Sequence, residues 1–281
     1  MILVLGATGT TGGEVARQLI ATGVQPRLLV RTPDKARVFE GKAEVVRGDL
    51  DDVTSLRAAM RGVEKVYLVS AGAQLIALEG NVVDAAVAAG VRHVVKLSVA
   101  TADAPAMEFA RWHGASEQKL KASGLAWTML RPGNFMTNAL GWAPTIKGEG
   151  KIYQPTGTGR WASIDPADIG AVAVLALTTP RHEGQAYTLT GPESLDGAGY
   201  AAILARVLGK VVSFVDVPPG AAQRGMLDSG IPPVYVDALL DLLAAMKAGK
   251  TDVVTDTVQR VLGRGPASFE SWVRRNAPAF Q

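Results

Sequence analysis

The chain has 281 residues, of which 48% are hydrophobic and 20% charged, and its formal net charge is +3. That balance belongs to an ordinary globular protein and not to a disordered one, and basic residues scattered this evenly argue against a nucleic-acid surface. Cysteine is absent, which excludes disulfides, thiolate metal sites and cysteine nucleophiles together.

Short apolar runs, rich in Val, Ile and Leu on both faces, open the chain and recur along it. They fall at Ile2–Leu5, Arg27–Val30, Glu44–Arg47, Lys65–Val69, His93–Leu97 and Trp127–Leu130, and read as buried parallel strands. Between them, 13–22, 53–60, 75–89 and 108–123 read as helices. Gly23, Gly62, Gly90 and Gly124 follow these stretches closely, where a helix C-cap favours glycine. Strand–helix repetition implies right-handed crossovers and a parallel sheet covered on both faces. After Arg131 proline and glycine punctuate the chain and the rhythm loosens. Stretches 165–177 and 200–208 read as helical, 186–189 and 211–217 as strands, and the chain from Pro232 onward as mostly helical. The expected fold is α/β, a Rossmann-type doubly wound parallel sheet with a small C-terminal α/β subdomain. Residues 1–131 are expected to form the sheet domain, with later segments returning to it, and 132–281 mainly the smaller lid subdomain.

The first strand runs straight into Gly6-Ala7-Thr8-Gly9-Thr10-Thr11-Gly12. A turn bare of side chains between a strand and a helix lets backbone N–H groups and the helix N-terminus approach a diphosphate. Gly12 permits close packing of helix on strand, and Thr8, Thr10 and Thr11 add hydroxyl donors. This stretch therefore predicts dinucleotide binding. At the end of the second strand an acid would bind the ribose 2′-hydroxyl and repel a 2′-phosphate. The chain instead has Arg31-Thr32-Pro33-Asp34-Lys35, and a guanidinium matches a phosphate in two-point fashion. Arg31 and Lys35 thus favour NADP(H), unless Asp34 neutralises them. Gly48-Asp49-Leu50, after the third strand, is placed to cover the adenine, with Asp49 either accepting from its amino group or capping the next helix.

Together these residues make the chain recognisable. It resembles the NmrA-like branch of the atypical short-chain dehydrogenase/reductases, through GATGTTGG, VRTPDKA, RGDLDD and the central string from His113 to Asn138 that includes WTMLRPGNFM; IDPADIG and YTLTGPE also fit. The resemblance implies an NADP(H)-binding sheet with a small C-terminal subdomain and substrate held between them. Known members include quinone, dye and azo reductases and non-catalytic dinucleotide sensors.

Ligands of such sheets lie at the carboxyl ends of the strands. Small residues at Ser70, Ala71 and Gly72 leave room for the cofactor's ribose and diphosphate. The resemblance puts Ser98 where short-chain dehydrogenases orient a carbonyl, and Asn134 follows the next strand as a further site candidate. Where ordinary members carry Tyr-x-x-x-Lys, this chain has His113-x-x-x-Glu117, so their carbonyl mechanism does not carry over. Isoflavone-reductase relatives hold a lysine near position 113. Histidine is a reasonable proton donor, with Glu117 one turn along able to pair with it. Phe135, Met136, Trp142 and Trp161 are candidates to stack on a flat acceptor, with core packing the alternative.

The expectation is an NADPH-dependent reductase of a small conjugated acceptor such as a quinone, enone or ketone. A sensor that binds NADP(H) without turnover is the alternative, and an epimerase is disfavoured by the missing tyrosine. Partners beyond the small-molecule substrate are not expected: no nucleic acid, no membrane, no metal, and a monomer or homodimer in the cytoplasm. His93 and His182 lack metal-ligand spacing.

Overall fold

The computed structural model describes residues 1–104 and 106–281. Its elements begin with β1 (Ile2–Leu5), α1 (Thr10–Ala21), β2 (Arg27–Val30), β3 (Glu44–Arg47), α2 (Val53–Ala59), β4 (Lys65–Leu68) and α3 (Leu75–Ala88). Then come β5 (His93–Leu97), α4 (Glu108–Ala122), β6 (Ala126–Pro132), α5 (Ala143–Glu149), β7 (Lys151–Gln154), β8 (Arg160–Trp161) and α6 (Pro166–Thr178). The chain finishes with β9 (Gln185–Leu189), β10 (Leu195–Asp196), α7 (Gly197–Leu208), β11 (Ser213–Asp216), α8 (Pro219–Asp228), α9 (Pro233–Lys247), α10 (Thr257–Leu262) and α11 (Phe269–Asn276).

Two units are distinguished. The first comprises Met1–Ala106, Ala110–Pro132 and Pro166–Thr188, and the second Met107–Phe109, Gly133–Asp165 and Leu189–Gln281. A seven-stranded sheet of order β3-β2-β1-β4-β5-β6-β9 organises the first. The pairs from β3 to β6 are parallel. Bonds from Gly184 N–H to the Trp127 carbonyl and from Gly133 N–H to the Leu189 carbonyl advance in step, so β9 is parallel too. The strand order reverses between β1 and β4, and there a doubly wound sheet opens its ligand crevice.

Alternation along each strand feeds two cores. Leu3 and Leu5 of β1 join Val66, Leu68, Val94 and Met129, and pack with Leu56, Val82, Val83 and Leu120 of α2, α3 and α4. The opposite face is covered by α1 and α6, whose close approach is enforced at Gly170, where a Cβ would stand 2.8 Å from the Glu14 Cβ. Across the same contact the Gln18 Nε2 donates to the Ala167 carbonyl at 2.9 Å.

The glycines expected at helix ends, Gly23, Gly62, Gly90 and Gly124, all have positive φ. Helix α1 starts earlier than the apolar pattern suggests, at Thr10, because the glycine turn itself forms the first helical turn. Residues Pro33–Phe39 after β2, where the sequence suggests only a loop, form a 3₁₀ helix with proline in its first turn.

The second unit is built around aromatic packing. Trp161 stacks on Tyr200 with centroids 4.9 Å apart, and Tyr200 meets Phe269 edge-on at 4.7 Å. Trp272 stacks on Phe269 and abuts Phe280. Met136 and Trp161, candidates for stacking on an acceptor, are 1% and 2% exposed in this core. That expectation is corrected: the two side chains bury more apolar surface against Tyr200 and its neighbours than a ligand face leaves them. Trp142 is half-buried and meets Tyr200 in a T-shaped arrangement with centroids 6.0 Å apart, and Phe135 forms a parallel bridge to Ile164. Elsewhere in this unit a cavity of about 230 Å³ is lined by Pro155, Pro219, Leu240, Leu243 and Ala244 among others.

Candidate active site at the strand ends

The turn after β1 takes its shape from its glycines. Gly6 sits at φ +62°, and its carbonyl accepts from Gly9 N–H at 2.8 Å. A Cβ at Gly12 would lie 2.2 Å from the Gly6 oxygen and 2.6 Å from the Leu5 oxygen, so only glycine lets α1 begin this close to β1. Gly9 is the N-cap of α1, extended and without a side-chain cap, and the first turn carries no acid. Its leading N–H groups and the positive end of the helix dipole are therefore left to an anion. Thr8 and Thr10 are exposed beside them, while Thr11 is buried. This cradle, which a single Cβ would fill, fits a dinucleotide diphosphate.

After β2, Arg31, Thr32 and Lys35 are all exposed. Asp34 does not neutralise them: it pairs with Arg37 at 2.9 Å, one turn along the 3₁₀ helix. Among the described residues no carboxylate forms a salt bridge with Arg31 or Lys35. Two uncompensated cations and a hydroxyl thus stand at the end of the second strand.

After β3, Asp52, not Asp49, caps α2, accepting from Thr54 and Ser55 N–H at 3.0 and 3.2 Å. Asp49 accepts from its neighbour's amide, Leu50 N–H, at 2.7 Å, and its own N–H reaches Ser55 Oγ at 3.1 Å. Asn81 of α3 pins the segment through the Leu50 carbonyl at 3.0 Å. The capping alternative for Asp49 is thereby removed.

After β4, Ser70 Oγ donates to Glu79 Oε1 at 3.0 Å, Ala71 is exposed, and Gly72 has φ +95°. Glu79 and Lys96 are a fully buried ion pair at 3.0 Å, both side chains 0% exposed. The Lys96 ammonium also donates to the Leu97 carbonyl at 2.9 Å and contacts His113 Nδ1 at 3.2 Å. Ser116 of α4 donates to the second Glu79 oxygen. Burial, reinforced by the Lys96 charge, pulls the His113 imidazole down to about 3. At neutral pH His113 is uncharged.

A second cluster lies one helical turn away. Ser98 Oγ donates to Glu117 Oε1 at 2.6 Å, and Arg131 grips the same carboxylate through Nε and Nη2 at 2.9 and 2.6 Å. Lys121 stands 3.6 Å from it, and Arg131 reaches outward to Asp103 at 3.0 Å. Burial alone would raise the Glu117 carboxyl, but Arg131, Ser98 and Lys121 together hold it below the usual value. The expected pairing of His113 with Glu117 therefore does not form. Glu117 turns to the guanidinium, which offers two directed bonds, and His113 turns to Lys96.

These partners narrow the candidate roles. Ser98 has spent its only proton on Glu117, so it can accept from a ligand but has no hydrogen to give a carbonyl. Asn134, in the second unit, donates to Ser163 Oγ at 3.0 Å and accepts from Asn138 Nδ2 at 2.8 Å, which makes it a bracket for the segment after β6. Sequence reasoning missed Lys96 and Glu79. The signal was a lysine in the five-residue apolar strand HVVKL and a glutamate in the apolar helix LIALEGNVVDAAVA, two charges that only mutual pairing allows inside. Among the described residues no group of three or more His, Asp or Glu is placed to hold a metal ion, and no helix is long and apolar enough to cross a membrane.

Comparison with known proteins identifies the family. Residues 6–180 match the NAD(P)H-binding family model. The chain is 38% identical to an NAD(P)H azoreductase of Xenophilus azovorans, with 100% of this chain and 99% of that protein covered. It is 40% identical to a (4-alkanoyl-5-oxo-2,5-dihydrofuran-3-yl)methyl phosphate reductase of Streptomyces griseus, again over 100% of this chain and 99% of that one. In structure it is similar to an NADPH-dependent quinone oxidoreductase from Escherichia coli crystallised with NADPH, at TM-score 0.90 and 29% identity, covering 99% of this chain and 100% of that one.

Proposed function

This chain belongs to the NAD(P)H-binding family, and from that premise we propose that it is an NADPH-dependent reductase passing hydride to a small conjugated acceptor, a quinone first among them. When bound, the reduced nicotinamide supplies the hydride. The glycine turn and the N-terminus of α1 hold the diphosphate, and Arg31 and Lys35 take the 2′-phosphate through charge-assisted hydrogen bonds. Ser70, Ala71 and Gly72 leave space beside the ribose, and Asp49 and Leu50 lie against the adenine.

The observation that carries the acceptor class is the state of positions 113 and 117. Glu117 is an ionised partner of Arg131 and Ser98, and His113 is neutral, so neither is a strong acid at neutral pH. An acceptor suited to these residues takes hydride without first being protonated. A quinone or a conjugated azo compound does so: hydride adds to one atom of the conjugated system, negative charge moves to the far oxygen or nitrogen, and a proton from water neutralises it. The chain's contribution is then orientation, exclusion of water and a hydrogen bond from His113.

The test is NADPH oxidation by the purified protein across quinones, azo dyes, enones and simple ketones. Turnover with conjugated acceptors and little with isolated ketones is the expected pattern. Tight NADPH binding with no turnover on any of them would place the protein with the non-catalytic sensors.

A further inference from the structure

The buried Lys96 has three protons and three partners, the Glu79 carboxylate at 3.0 Å, the Leu97 carbonyl at 2.9 Å and His113 Nδ1 at 3.2 Å. An ammonium only donates, so the contact with His113 requires a bare lone pair on Nδ1. The imidazole must then carry its single proton on Nε2. Glu79 holds the other end: besides Lys96 it accepts from Ser70 and Ser116, so the segment after β4 and the elements α3, β5 and α4 fix one hydrogen-bond chain. Of its three ionisable members only His113 retains any exposure, 8%, against none for Lys96 or Glu79. Among the ionisable members the one that meets solvent is thus the His113 ring, while half-buried Ser70 closes the Glu79 end.

We propose that Lys96 is a positioning residue: anchored on Glu79, it locks His113 as the Nε2–H tautomer, so that the imidazole serves the acceptor as a neutral hydrogen-bond donor and not as an imidazolium acid. Placing the acceptor at His113 rests on the reading of function given above; the tautomer itself does not. The charged groups around the ring agree with it. Lys96 faces it from β5, and protonating Nδ1 would set two N–H groups against each other. Glu79 on α3 is already matched by Lys96, and Glu117, one turn along α4, is held by Ser98 and Arg131. Among the described residues the ring's recorded polar partner is the Lys96 cation and not a carboxylate, which disfavours an imidazolium. A neutral donor strengthens its bond as negative charge develops on the acceptor oxygen and takes no part in proton bookkeeping, which matches hydride transfer to a quinone.

The experiment is ring-nitrogen NMR on full-length protein carrying ¹⁵N-histidine, with and without NADPH. The chain has three histidines, and His113→Gln assigns the resonance. The expected spectrum shows a bare Nδ1 and a protonated Nε2, unchanged from about pH 5 to 8, the interval in which an ordinary histidine titrates. Protonation on Nδ1, or a ring that titrates within that interval, would overturn the proposal. Lys96→Met strands the Glu79 carboxylate and risks unfolding, so the paired variant Glu79→Gln/Lys96→Met removes both charges while keeping the amide for Ser70 and Ser116. In that variant the His113 resonance should become a tautomer mixture that titrates, and kcat with a quinone should drop by about 10-fold or more at unchanged KM, in keeping with outer-shell partners of a functional imidazole. An unaltered tautomer in the paired variant would show that Lys96 does not set it. If the tautomer is as stated but His113→Gln leaves kcat untouched for every acceptor, the lock stands and the placement of the acceptor falls.

Discussion

Arg131 and Glu117 face each other from β6 and α4 in a two-point grip, Nε to Oε1 at 2.9 Å and Nη2 to Oε2 at 2.6 Å. The carboxylate is 2% exposed and the guanidinium 11%. An ion pair this far from water is sensitive to loss of one partner, because the survivor is left buried and uncompensated. Arg131→Met should destabilise the protein by about 3 kcal/mol, read as a lowered urea midpoint with an unchanged slope. Glu117→Gln should cost less. A midpoint for Arg131→Met within experimental error of the parent would mean that Glu117 finds water or another cation.

The same pair has a pH signature. Glu117 titrates lower in the folded chain than in the unfolded one, so the unfolded state binds its proton first as pH falls. Its contribution is fully present above the ordinary carboxyl value of 4.5 and is lost as pH drops through the folded value. His113 and His93, pulled down mainly by burial to about 3 and about 4, act in the same sense and start earlier, since their ordinary value is 6.5. Stability should therefore decline as pH falls from about 6.5 toward 4, and His113→Gln should flatten that decline. Urea midpoints measured across the interval check this; a slope identical in the variant would remove His113 from the account.

Arg31 and Lys35 bear on the cofactor. Reversing the charge with Arg31→Asp should weaken NADPH about 100-fold or more and leave NADH within a few-fold, since NADH has no 2′-phosphate to repel. Titration calorimetry with both nucleotides measures the ratio. Equal loss for the two would detach Arg31 from the ribose phosphate.

Gly12 is where one carbon atom should matter most. The Cβ of Gly12→Ala would sit 2.2 Å from a backbone oxygen that cannot rotate aside. Helix α1 must then move away from β1, which should lower the thermal midpoint by several degrees and weaken both nucleotides together. Gly13→Ala, whose nearest backbone atom is 3.3 Å from the new carbon, is the milder neighbouring change. Similar effects for the two would show that the turn tolerates crowding.

His113 should separate acceptors. His113→Ala removes a hydrogen bond that grows with charge on the acceptor, so turnover with a ketone should fall by about 10²-fold and with a quinone by less, because the quinone delocalises that charge itself. Steady-state kcat on both substrates decides it. Unchanged rates for both would return His113 to packing.

Much of this was readable from the order of residues. The strands β1 to β6 announced themselves by apolar runs, the helix ends by glycines that prove to have positive φ, and the tight turn after β1 by three glycines between a strand and a helix; each is a local consequence of backbone sterics and period. Arg31 was legible for the same reason, as a charge at a strand end whose place in the sheet follows from strand count. Which carboxylate pairs with which cation was not. His113 and Glu117 are four residues apart on one helix and looked like partners, yet Lys96 and Arg131, on strands β5 and β6, claim them separately. The fates of Met136 and Trp161 were equally hidden, since an aromatic or thioether reads the same whether it packs in a core or faces a ligand. Backbone preferences act over a turn or two and so are written in neighbouring residues. Buried charges and rings are sorted by desolvation, which depends on everything folded around them, and only the assembled sheet and helices set that surrounding.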